Sequence, residues 1–69
     1  MKHMLTIEDR NGAVMFKQAS DNRKSDLISF AKSHALVSKF YISCFNRNAG
    51  GWIETYNGRG ELTATTKGI

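Results

Sequence analysis

Apolar and polar positions alternate through "MLTIEDRNGAVMFKQA", with Asn11-Gly12 at the centre. A period of two predicts strands. Asn-Gly predicts a two-residue hairpin turn, because both residues tolerate positive φ. In that register Arg10 faces Ala13, Asp9 faces Val14, Glu8 faces Met15, Ile7 faces Phe16 and Leu5 faces Gln18. Leu5, Ile7, Val14 and Phe16 then share one face, and Thr6, Glu8, Met15 and Lys17 the other. A slip of one residue would mix the two sets.

The period then lengthens. From Asn22 to about Leu36, Leu27, Ile28, Phe30, Ala31 and Ala35 recur at helical spacing, with Ser25, Asp26, Ser29, Lys32 and Ser33 opposite. Ser20 and Asp21 are the expected N-caps, since their oxygens can accept from free amides of the first turn. Three strand-like runs follow: about Lys39 to Phe45, Trp52 to Asn57 and Glu61 to Thr66. Asn46 to Gly51 is expected to be a longer loop, and "NGRG" (57–60) a tight turn at Asn57-Gly58 or Gly58-Arg59. The order is ββαβββ. The expected fold is α+β, a single antiparallel sheet covered on one face by one helix.

The facing of the last three strands follows from their aliphatic members. Phe40, Ile42 and Cys44, with Ile53, Leu62 and Ala64, are expected under the helix. Glu54 and Glu61 argue against burying their own sets, because an unpaired buried carboxylate is costly. Tyr41, Phe45, Trp52 and Tyr56 are then expected on the face away from the helix. The competing arrangement has Trp52 and Tyr56 in the core and Glu54 turned out by a bulge.

Composition narrows the class. The chain has 69 residues, enough for one domain of modest core. Met1 to His3, ahead of a second methionine, read as a start-site variant or expression remnant with no part in the fold. A single cysteine, Cys44, excludes an internal disulfide and fits a reducing cytoplasm. No apolar run is long enough for a membrane helix. The formal charge of +4 mildly favours acidic partners, nucleic acid included.

Catalytic and metal chemistry is poorly supplied. His34 lies on the apolar side of the helix and reads as a packing residue. One cysteine and two histidines give no zinc pattern. Asp9, Asp21 and Asp26 lack calcium-loop spacing. "NAGG" and "NGRG" do not precede a helix, so they read as turns rather than phosphate cradles. No enzyme activity, metal or cofactor is expected. Binding chemistry is better represented. Tyr41, Phe45, Trp52 and Tyr56, with Arg47 and Arg59 at the turns, are the expected partner-binding residues. Aromatics and arginine are favoured anchors of protein interfaces. Exposed rings beside cations also suit single-stranded nucleic acid.

The segments "IEDRNGAVMF", "SDLISFAKSHAL" and "FYISCFNRNAGGWIETYNGRGELTAT" together give an element order that resembles several small phage-encoded inhibitor proteins. These include type I anti-CRISPR proteins and phage inhibitors of host RNA polymerase. The resemblance is one of architecture over most of the chain and rests on no diagnostic motif. It implies a non-enzymatic inhibitor in the bacterial cytoplasm, docking on a host protein or nucleoprotein complex. Direct single-stranded nucleic-acid binding, and a homodimer built over the aromatic face, are the other expectations.

Overall fold

The computed structural model describes residues 3–48 and 50–67. Its order is β1 (His3–Glu8), β2 (Val14–Ser20), α1 (Lys24–Lys32), β3 (Lys39–Asn46), β4 (Gly50–Asn57) and β5 (Leu62–Lys67). The protein is a small α+β domain. Its five strands form one antiparallel sheet in the order β2-β1-β3-β4-β5. Met1 and Lys2 lie outside the described residues, but His3 has a place in the fold. It pairs with Ser20 and Cys44, and its Nδ1 is 3.2 Å from the Asn22 carbonyl.

Two hairpins share one construction, and neither has a two-residue turn. In the first, the Asp9 amide donates to the Ala13 carbonyl and the Gly12 amide to the Asp9 carbonyl. Asp9 Oδ1 accepts from the amides of Asn11 and Ala13. In the second, Asn57 takes the place of Asp9: its amide donates to the Glu61 carbonyl, and its Oδ1 accepts from Arg59 and Glu61. Gly12 and Gly60 hold φ near +82° and +84°, whereas no described non-glycine residue has positive φ. The turn expected at Asn11-Gly12 needs positive φ at both residues. Here Asn11 stays in ordinary conformation and only the glycine enters the left-handed region, which gives a three-residue loop.

Each of these hairpins also carries a β-bulge. Glu8 pairs with Val14 while Ile7 pairs with Phe16, which leaves Met15 as the extra residue. Tyr56 pairs with Leu62 and Thr55 with Ala64, which leaves Thr63 as the extra residue. A bulge resets the alternation. Val14, expected beside Leu5 and Ile7, is therefore exposed, and Met15 packs against the core instead. Likewise Ala64 lies opposite Thr55, away from the core-facing pair Tyr56 and Leu62.

The helix is shorter than its apolar stripe. Arg23 is the N-cap residue, extended and without a capping side chain. Ser20, an expected cap, instead accepts from the Asn22 amide at 3.0 Å. At the other end the Ser33 hydroxyl donates to the Phe30 carbonyl at 2.6 Å, which closes the last turn. Leu27 and Ala31 enter the same buried cluster as Leu5, Ile7, Phe40, Ile42, Cys44 and Tyr56. Phe40 and Tyr56, partners across β3 and β4, stack 5.0 Å apart. His34 meets Phe30 edge-on and Phe16 at a tilt, as a half-buried packing residue.

Candidate functional site

The register Asn46↔Gly50 fixes the facing of β4. It sets Cys44 opposite Trp52, Ile42 opposite Glu54 and Phe40 opposite Tyr56. Trp52 and Tyr56 therefore lie on the core face, and Ile53 on the outer face, 39% exposed. This reverses the facing expected from the sequence. The shared aromatic face of Tyr41, Phe45, Trp52 and Tyr56 does not form. Nor does Glu54 turn outward: it is 9% exposed on the core face.

The physical reason is that Glu54 is not unpaired. Lys24 Nζ lies 3.0 Å from both of its oxygens, the Tyr56 hydroxyl donates to Oε1 at 2.6 Å and Trp52 Nε1 donates to Oε2 at 3.1 Å. Trp52, Glu54 and Tyr56 are spaced two apart on one strand, so donor, acceptor and donor share a face. Lys24, in the first turn of α1, supplies the countercharge from above. That placement opposes the helix dipole and is offset by the ion pair.

This environment moves three ionisation equilibria away from neutrality. Burial pushes the Glu54 carboxyl upward, but the hydrogen bonds from Tyr56, Lys24 and Trp52 together outweigh it, and the group sits below its ordinary range. Burial, then the Glu54 hydrogen bond and charge, raise the Tyr56 phenol well above its ordinary value. Burial and the nearby Glu54 charge raise the Cys44 thiol. The carboxylate is a weakened base, the phenol a weakened acid and the thiol a weakened nucleophile. The cluster acts as a pin between α1 and β4.

The other expected residues scatter. Tyr41 and Phe45 do lie on the outer face, Phe45 72% exposed. Tyr41 donates to Glu8 Oε1 at 3.3 Å, and Lys39 Nζ stands 5.9 Å from its ring centre. Met4, Lys17 and Ile53 join Tyr41 around a shallow depression on this face. Arg47 is exposed in the β3–β4 turn. Arg59 is at the opposite end of β4, 3.4 Å from Glu61 in an ion pair exposed on both sides. Such a pair is worth little.

Lys17 lies on the outer face as the hairpin pattern predicts, whereas sequence reading missed Met4 and Ile53 as members of that face, and Glu54 with Lys24 as a buried pair. The Trp-x-Glu-x-Tyr spacing was the available signal for the pair. Lys24 is distant in sequence and gave none.

Among the described residues no group of three or more His, Cys, Asp or Glu side chains could hold a metal ion. No described helix is long and apolar enough to cross a membrane. No family model, curated protein or solved structure matches this chain.

Proposed function

We propose that this protein is a small non-enzymatic binding module that docks on a macromolecular partner through the outer face of its sheet. The observation that carries the reading is the set Met4, Tyr41, Phe45 and Ile53 on that face, with Phe45 and Ile53 exposed. Monomeric proteins rarely leave a contiguous apolar patch without a use. In this reading the helix is the cover of the opposite face, and Lys17 and Lys39 form a basic margin. Trp52 and Tyr56 face the core side of the sheet, where their polar atoms serve Glu54.

The partner class comes from the architectural resemblance to phage-encoded inhibitors. It is a host nucleoprotein machine such as a type I CRISPR effector or RNA polymerase. The contact is with protein. Tyr41 and Phe45 are four residues apart on one strand, about 13 Å. That is too far for the two rings to hold one base between them, and aliphatic Ile53 and Met4 occupy the ground around Ser43. Single-stranded nucleic acid would have a two-ring platform at most. Arg47 and Arg59 are margin residues at best in either case.

Binding to a purified type I effector complex and to purified RNA polymerase tests the proposal. The wild type should bind one of them at micromolar concentration and inhibit it. Tyr41→Ala/Phe45→Ala should lose at least about tenfold in affinity, the loss of a hot-spot side chain. Absence of binding to either machine overturns the partner class. Tight, salt-sensitive binding to a single-stranded oligonucleotide would favour the nucleic-acid reading instead.

A further inference from the structure

Strand β5 is an edge of the sheet, and all six of its residues are exposed. Edge strands carry unpaired backbone groups and are commonly blunted by proline, inward charge or a covering element. The chain has no proline. The bulge at Thr63 interrupts the strand near its start but leaves Ala64–Lys67 in regular register against Thr55–Trp52. The opposite edge differs: β2 has Lys17 at mid-strand, and its Phe16 packs against Phe30 and His34 of the helical segment.

The direction of the β5 backbone groups follows from the ladder. The Asn57 amide donates to Glu61, so Asn57 turns its polar backbone toward β5. Alternation then turns Thr55 and Ile53 toward β5 as well, and Ala64 and Thr66 toward β4 in return. Thr65 and Lys67 are left with N–H and C=O pointing outward.

We propose that β5 pairs with β5 of a second copy of this chain, antiparallel, about a two-fold axis at Thr66. In that register Thr65 faces Lys67 of the other copy, twice, and each facing couple exchanges two backbone hydrogen bonds. Thr66 faces Thr66 at a non-hydrogen-bonded site, where side chains approach closest. Threonine pairs are favourable there, and no like charges stand opposite one another. The edge is self-complementary, which is what an isologous contact requires. The contact is small, and the dimer should be weak. It is separate from docking over the outer face.

Sedimentation velocity from micromolar to millimolar protein tests it. The mass should rise from monomer toward dimer. Thr66→Lys and Thr66→Glu should each remain monomeric, because like charges would meet on the axis, and an equimolar mixture of the two should regain the dimer. Thr65→Pro removes an outward amide that takes no part in the ladder to β4. It should be monomeric with an unchanged circular dichroism spectrum. Tyr41→Ala/Phe45→Ala should dimerise like the wild type. A wild type that stays monomeric at millimolar concentration overturns the proposal. So does a dimer that survives the Thr66→Lys change, or one lost in the Tyr41/Phe45 variant.

Discussion

Glu54 is a buried carboxylate kept ionised by donors on three sides, and its energetics are testable one bond at a time. Glu54→Gln leaves Lys24 without its countercharge and should destabilise the fold by about 1–3 kcal/mol in urea denaturation. The Lys24 side chain is 40% exposed, so water absorbs part of the loss. Tyr56→Phe removes only the 2.6 Å bond and should cost about 1 kcal/mol. The pH dependence follows from the direction of the shifts. Folding lowers the Glu54 pKa, so its contribution is full above the ordinary value of 4.5 and is lost as pH falls through the lower folded value. Folding raises the Tyr56 pKa, so stability erodes as pH climbs past the ordinary 10.0. Urea midpoints should therefore fall at both extremes. In Glu54→Gln the acid limb should flatten.

At the scale of elements, the two similar hairpins depend on an Asx side chain and a left-handed glycine. A Cβ at Gly12 would meet nothing within 4 Å, so Gly12→Ala isolates the conformational term. It should cost about 1–2 kcal/mol through φ alone. Gly60→Ala adds a clash, since its Cβ would come 2.5 Å from Lys32 Cδ. Lys32 Cγ at 2.9 Å and Ile28 Cγ2 at 3.2 Å crowd the same point, so Gly60→Ala should cost more than Gly12→Ala, measured by thermal unfolding. Asn57→Ala strips two amides of their acceptor and should cost about 1 kcal/mol or more. The bulges beside these turns explain why the facing of Val14 and Met15, and the separation of Leu62 from Ala64, was not legible. Binary patterning assumes unbroken alternation, and one extra residue inverts the assignments on one side of it relative to the other.

At the scale of the molecule, the sheet separates a face that stabilises from a face proposed to bind. Phe45→Ser should change stability by no more than about 0.5 kcal/mol, as expected for an exposed site, while weakening partner binding. Trp52→Ala should do the opposite. It removes a half-buried ring packed on the core together with the Nε1 donor to Glu54, and should cost about 2 kcal/mol or more in denaturation. Its effect on binding should follow folding alone.

The element order, the antiparallel sheet and most of the core were readable from local periodicity. Leu5, Ile7, Leu27, Ala31, Phe40, Ile42 and Cys44 fell where the pattern put them, because alternation and helical spacing are properties of neighbouring residues. The facing of β4 was not local. Trp52, Glu54 and Tyr56 could enter the core only because Lys24, thirty positions away in the chain, comes to within 3.0 Å of the carboxylate. Burial of a charge depends on which partner the fold delivers. For the same reason Tyr41 and Phe45 keep their expected face while Trp52 and Tyr56 exchange theirs with Ile53.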